Sequence, residues 1–219
     1  MKNVVIAGAG DALGTRLIAD LQKKGLTVRA GYIGAIPADS KADSSFSFDP
    51  LDHAGLQEAA KAGGPVDMLI INIDYRVEDD SATILEAMDY DALLMAYEQN
   101  TVGPLRVVDS FLPMLEQGTG KRICVVTTKE SSNYACQDIS GFAARMPRAS
   151  LNMAVTQLFN GLRPKGFTFR LYAKDVENGK DDWAAEYFTR KRSYEPEDLK
   201  HSDEERIVMR DWMALEVPF

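Results

Sequence analysis

Short apolar runs alternate along this chain with stretches whose apolar residues return every three or four positions. Val4-Val5-Ile6-Ala7 is a continuous apolar run closed by a glycine, the pattern of a strand buried on both faces. Leu13, Leu17, Ile18 and Leu21 then recur at helical spacing, and Gly25 supplies a stop. Further strands are predicted over residues 26–33, 68–71, 123–126 and 167–172. Helices are predicted over 51–62, 81–88, 90–117 and 140–161. The helix 90–117 places Leu93, Leu94, Tyr97, Val107, Val108, Phe111 and Leu115 on its apolar side.

This order predicts an α/β fold: a doubly wound parallel sheet of Rossmann type, covered by helices on both faces, in a single domain over 1–219. Residues 175–205 are rich in Asp, Glu, Lys and Arg and poor in aliphatics. They are predicted to form a mobile or partly helical insertion that shapes the ligand mouth. Residues 206–219 return to apolar alternation, predicting a final edge strand or hairpin.

Composition narrows the function classes. The 219 residues are 45% hydrophobic and 26% charged, enough for a complete core. A net charge of −8 argues against nucleic acid as a partner, since that needs a basic face. The one basic run, Arg190-Lys191-Arg192, is followed at once by acidic residues. No secretory pattern and no apolar run near the ~20 residues of a membrane span occur, so a cytoplasmic protein away from membranes is expected. Cys124 reads as a small buried residue and Cys136 as a loop residue, which fits a reducing compartment. Neither has a partner at metal-ligand spacing, and His53 and His201 are far apart, so no metal site is expected.

The most telling local feature is the glycine turn Gly8-Ala9-Gly10-Asp11-Ala12-Leu13-Gly14 between the first strand and the first helix. A diphosphate needs close backbone approach and free N–H groups at a helix N-terminus, and Gly8, Gly10 and Gly14 permit both. Asp11 has two readings. It caps the helix and complements its dipole, or it faces, and opposes, a bound phosphate.

Over residues 1–173 the chain resembles the short-chain dehydrogenases/reductases. The family's G-x-x-x-G-x-G is matched by Gly8, Ala12, Leu13 and Gly14, with Ala12 replacing the middle glycine. Its N-N-A-G after a D-x-L-V strand aligns with Ile71-Asn72-Ile73-Asp74 after Asp67-Met68-Leu69-Ile70, where only Asn72 is kept. Its N-x-x-G-P matches Asn100-Thr101-Val102-Gly103-Pro104, and Leu162-Arg163-Pro164-Lys165-Gly166-Phe167 resembles the lead into the sixth strand. The resemblance implies cofactor contacts at Gly8, Gly10, Asp11, Leu13, Gly14, Tyr32, Asp49 and Asn72. Asp49 falls at the adenine-contacting position and Tyr32 near the ribose 2′-hydroxyl.

The resemblance also implies where chemistry would sit, and there the chain departs. The family's Ser falls on Thr128 and its helix Asn on Asn100. The Lys that holds the nicotinamide ribose falls on Arg148, which binds hydroxyls but does not pass a proton. The proton-donating Tyr falls on Ala144. Tyr134, in the loop after Thr128, is the substitute donor to test, with Lys129, Glu130 and Tyr172 as further candidates. The P-G that follows the sixth strand in the family reads Lys174-Asp175.

The implied cofactor is NAD or NADP, with a lean to NAD because Asp11 would repel a 2′-phosphate; Arg16 and Arg29 are the residues that would reverse it. The implied partners are the dinucleotide, a small-molecule substrate and a second copy, as a homodimer or homotetramer through helices 90–117 and 140–161. Three readings follow: an oxidoreductase of divergent site acting on a small carbonyl or alcohol, a catalytically silent dinucleotide sensor or partner subunit, and a fold without cofactor.

Overall fold

The computed structural model describes residues 1–190 and 205–219. One sheet of eight strands has the order β3-β2-β1-β4-β5-β6-β7-β8. Its members are β1 (Asn3–Ala7), β2 (Thr27–Ile33), β3 (Ser44–Phe48), β4 (Met68–Ile71), β5 (Arg122–Thr127), β6 (Thr168–Ala173), β7 (Met209–Asp211) and β8 (Glu216–Val217). All neighbours are parallel except β7 and β8, which pair antiparallel. The strand order reverses between β1 and β4, the switch point where open α/β sheets bind ligands at their carboxyl edge.

Strand alternation sorts the core into two layers. Val5 and Ala7 of β1 face a cluster with Leu56 of α2 (His53–Ala62), Val107 and Phe111 of α4 (Gly103–Gln117), and Val155 of α5 (Phe142–Leu162). Val4 and Ile6 face the opposite layer, with Leu17 and Leu21 of α1 (Ala12–Lys23) and Tyr187 and Phe188 of α6 (Ala184–Thr189). The doubly wound parallel sheet is thus the observed fold.

Three expectations change. Residues 81–88 form no helix; Glu86 instead accepts the N–H and the hydroxyl of Thr83 in a local turn. The helix expected over 90–117 is α3 (Tyr90–Tyr97) followed by a π-turn (Glu98–Val102) and then α4, so its apolar positions do not share one stripe. Leu94 and Tyr97 are exposed, whereas Val107, Val108, Phe111 and Leu115 are buried. Strand β3 was not foreseen: Ser44-Ser45-Phe46-Ser47-Phe48 carries only two apolar residues, but they alternate, and both are buried.

The polar stretch 175–205 is not uniformly peripheral. Its α6 buries Ala184, Ala185, Tyr187 and Phe188 against α1 and β6, because its apolar content is aromatic rather than aliphatic. Residues 191–204 of that stretch, with Lys191, Arg192 and His201, lie outside the described residues.

Asp67, just before β4, fastens the amino edge of the sheet. Its carboxylate accepts N–H groups from Lys2, Asn3, Thr119 and Gly120 and the Thr119 hydroxyl. Burial by itself would raise this carboxyl, but those donors outweigh it and hold it well below the usual carboxylate range.

Candidate functional site

The crevice at the carboxyl edge begins with the glycine turn. Gly8 has φ +97°, and a Cβ there would lie 2.2 Å from the Asn72 carbonyl oxygen. A Cβ at Gly14 would lie 2.6 Å from the Ala9 backbone, so α1 packs onto the turn only with glycine there. The Gly8 and Ala9 amides are already used, both donating to Gly31 O of β2 at 3.0 and 2.9 Å. Asp11 caps α1, its Oδ1 accepting the Gly14 N–H at 2.7 Å. The Ala12 and Leu13 amides have no partner within the helix and are the ones left for a ligand. Leu13 itself buries its side chain beneath the turn.

From Asp11 a chain of charges crosses the crevice. Asp11 Oδ1 also accepts from Asn72 Nδ2 at 2.8 Å, and its Oδ2 accepts from Lys174 Nζ at 2.9 Å. Lys174, just after β6, also pairs with Asp74 Oδ2 at 2.9 Å. Asp74, just beyond β4, accepts from the Arg148 guanidinium, which in turn donates to Ala144 O. Burial would raise the Asp74 carboxyl, but the charges and hydrogen bonds of Arg148 and Lys174 prevail and hold it far below its usual range. The Lys174 ammonium would be lowered by burial, yet Asp74 and Asp11 raise it above the ordinary lysine value. Asp74 and Lys174 are therefore both charged at neutral pH.

The remaining family positions surround this chain. Thr128, buried at the end of β5, donates its hydroxyl to Glu130 Oε2 at 3.1 Å, and Glu130 meets Arg76 at 3.4 Å. Asn100 sits in the π-turn and uses both side-chain atoms on the Tyr75 backbone, each at 2.8 Å. Its amide is thereby committed to shaping the 72–75 loop. Ala144 stands in the first turn of α5, where Asp80 accepts the amides of Ala143 and Ala144 at 3.0 and 2.7 Å and caps the helix from a distant loop. No polar side chain replaces the missing tyrosine at that position.

The structure brings together Asp11, Asn72, Asn100, Thr128 and Arg148. Other sequence candidates fall elsewhere. Tyr134 is 82% exposed. Tyr172 is buried and donates to Asp181 at 2.8 Å, and burial first, then the Asp181 charge, pushes its phenol far up. Lys129 pairs with Asp211 at 2.8 Å. Tyr32 is buried with its hydroxyl 2.9 Å from Ser40 Oγ, in a short hydroxyl chain that continues to Ser45. Asp49 is exposed and accepts the Leu51 N–H at 2.8 Å, turning the chain toward α2. The case for NAD also weakens: the Asp11 carboxylate it rested on is paired with Lys174 across the crevice. Arg16 pairs with Asp182, and Arg29 lies over the Phe46 ring.

Asp74 and Lys174 are the residues that sequence reasoning passed over. Both stand where the resemblance calls for uncharged residues, the Gly of N-N-A-G and the Pro of P-G. Two opposite charges at two such departures were the available signal.

A nicotinamide dinucleotide fits this crevice on three counts: the open amides of α1, the Lys174 ammonium, and the buried Asn72 Oδ1 and Thr127 Oγ1, which lack partners. The inner part, between Asn72, Asp74, Asn100, Thr128, Arg148 and Lys174, has ≈10 Å³, room for about one water. Outside it a pocket of ≈370 Å³ opens between Thr128, Glu130, Lys174, Asp175 and Trp212. The inner part is thus opened only if the charge chain parts.

No family model matches the chain. Over 104 residues it is 39% identical to C-signal of Myxococcus xanthus, a stretch covering 48% of this chain and 61% of that protein. Over 175 residues it is 26% identical to an uncharacterized oxidoreductase of Schizosaccharomyces pombe, covering 74% of this chain and 68% of that one. Among solved structures, one from Burkholderia multivorans described as a short-chain dehydrogenase/reductase with bound NADP superposes with a TM-score of 0.73 at 17% identity, over 100% of this chain and 99% of that one. That last likeness establishes the shared fold.

Proposed function

We propose that this chain, a short-chain dehydrogenase/reductase by its fold and sequence likeness, is an NAD(P)-dependent oxidoreductase of divergent site acting on a small carbonyl or alcohol. The observation that carries this is the convergence of Thr128, Asn100 and Arg148 on one crevice, tied to the glycine turn through Asn72, at the switch point of the sheet. The bound nicotinamide supplies the hydride acceptor or donor. On the protein side, Ala12 and Leu13 offer amides to the diphosphate, Thr128 orients the substrate oxygen, and Arg148 holds ribose hydroxyls. Glu130, which accepts the Thr128 hydroxyl at the pocket mouth, is placed to exchange a proton with that oxygen. The NADP-bound neighbour supports a nicotinamide dinucleotide as the cofactor.

A second reading, a dinucleotide-binding sensor or partner subunit without turnover, is favoured by Ala144 and by the charges that span the crevice. In either reading, exposed Leu94 and Tyr97 of α3 and Met146 and Met153 of α5 offer the face on which a second copy docks.

Thermal unfolding with millimolar NAD(H) or NADP(H) tests both readings. A ligand at a hundred times its Kd stabilises by about 2.7 kcal/mol, so the melting temperature rises; no shift with any of the four rejects both. A carbonyl panel then separates them. Turnover that drops at least tenfold in T128A and is untouched in Y134F supports the enzyme. Binding without turnover in the wild type leaves the sensor.

A further inference from the structure

The crevice already holds an anion of its own. The Asp11 carboxylate is bound by a helix N-terminal amide (Gly14), a side-chain amide (Asn72) and an ammonium (Lys174) at 2.7, 2.8 and 2.9 Å. Backbone N–H, neutral amide and cation around one oxygen pair is the donor set that a phosphoryl group takes at a helix N-terminus. Asn72 is 4% exposed, and its Nδ2 is held between Gly8 O and Asp11 Oδ1, while its Oδ1, with no partner, is free to accept from a ligand hydroxyl. Lys174 is mostly buried and reaches Asp11 beside β1 and Asp74 beyond β4 at the same time, linking both sides of the crevice.

We propose that Lys174 is the anchor for a phosphate of the dinucleotide, and that Asp11 stands in for that phosphate until the ligand displaces it. This rests on the dinucleotide reading above. On binding, the Asp11 carboxylate gives up Lys174 and Asn72 to a phosphoryl oxygen, and the ligand's negative charge replaces the one withdrawn. The exchange opens the inner crevice, since the same ammonium closes it. It also makes the site demand phosphate charge: an uncharged nucleoside has nothing with which to displace Asp11. Affinity is set by competition between two anions for one cation, so removing the internal anion strengthens the external one.

The experiment is a binding titration of the full chain with NADH, NADPH, ADP and adenosine, using intrinsic fluorescence and calorimetry. D11N keeps a side-chain oxygen able to cap α1, so the helix start survives while the charge goes. K174M removes the anchor, and Asp74 retains Arg148. The expected result is at least tenfold tighter binding of ADP and the dinucleotides in D11N, at least tenfold weaker binding in K174M, and no change for adenosine in either. D11S, a second capping residue, repeats the D11N arm in case the amide re-forms the Lys174 contact. A silent wild type with a binding D11N supports the proposal. Wild-type binding that D11N and D11S leave unchanged or weaken overturns it, as does undiminished binding in K174M, with dinucleotide binding itself intact. Silence of every variant toward every phosphate ligand at millimolar concentration overturns the dinucleotide reading, and this proposal with it.

Discussion

Asp67 and Asp74 stand at opposite ends of β4, both largely buried and both ionised, yet they are held by different kinds of partner. Asp67 accepts four backbone N–H groups and one hydroxyl from segments that the sheet fixes in place. Asp74 is held by the side chains of Arg148, Lys174 and Arg76. Backbone donors cannot leave without unfolding the amino edge. Cations on long stems can turn to another anion at the cost of a rotamer change. The amino edge is therefore locked by the fold, whereas the carboxyl edge is locked by charge, and only a lock of the second kind can be opened by a charged ligand.

The largest expected effect lies at the fixed end. D67N keeps the shape but turns an amide NH2 toward N–H groups that need an acceptor, leaving buried donors unpaired. Unfolding in urea should show a loss of about 3 kcal/mol, while the folded fraction binds dinucleotide as before. A loss under 1 kcal/mol would erase the contrast.

Next comes the chemistry missing from the open end. If the carboxyl edge lacks only its proton donor, A144Y with R148K should restore it. General acid help typically contributes 10²–10⁴-fold, so carbonyl reduction by the double variant should exceed wild type by about 100-fold. No gain in a variant that still binds the dinucleotide would show that the crevice has diverged beyond its two lost residues.

How much of this was legible beforehand follows the same division. The strands β1, β4 and β5 were readable because a strand buried on both faces is a largely continuous apolar run, and the glycine turn because close backbone packing at Gly8 and Gly14 leaves no room for a Cβ. Strand β3 was missed because serines occupy its other face; α6 falls in a stretch read as partly helical, but its burial was not foreseen because it rests on Tyr187 and Phe188 amid charges. The break at 98–102 was invisible, since a π-turn changes hydrogen bonding without changing residue type. In the site, Thr128, Asn100 and Arg148 were singled out by the resemblance to short-chain dehydrogenases/reductases. The pairing of Asp11 and Asp74 with Lys174 was not, because it joins residues a hundred or more positions apart and no periodicity encodes it.

A smaller effect is expected from D74N. Lys174 keeps Asp11 and Arg148 keeps the Ala144 carbonyl, so the cations left behind are not orphaned. Stability should fall by about 1–2 kcal/mol, less than in D67N, while the melting-temperature rise given by the dinucleotide changes measurably. A cost equal to that of D67N would mean that the carboxyl edge is as rigid as the amino edge.

The smallest effect is the acid dependence, and it separates the two aspartates within one protein. Both carboxyls lie below their ordinary value in the fold, so their stabilisation is complete above the unfolded value near pH 4 and is lost as pH falls through the folded one. Between pH 4 and 3 the unfolded chain takes up protons that the native state resists, at about 1 kcal/mol per group. Lys174 is raised instead, so its contribution is complete below the unfolded lysine value near pH 10.4 and fades only as pH climbs through the folded one. Urea unfolding should therefore be insensitive to these three groups from pH 5 to 9 and weaken below pH 4, with a shallower acid limb in D67N and in D74N alike. Bound dinucleotide sharpens the distinction. If Lys174 exchanges Asp11 for a phosphate while still touching Asp74, ligand leaves the Asp67 share of the limb intact and alters only the share that D74N removes. A ligand that changed the limb equally in both variants would place its effect on the whole sheet, and the two ends of β4 would no longer differ.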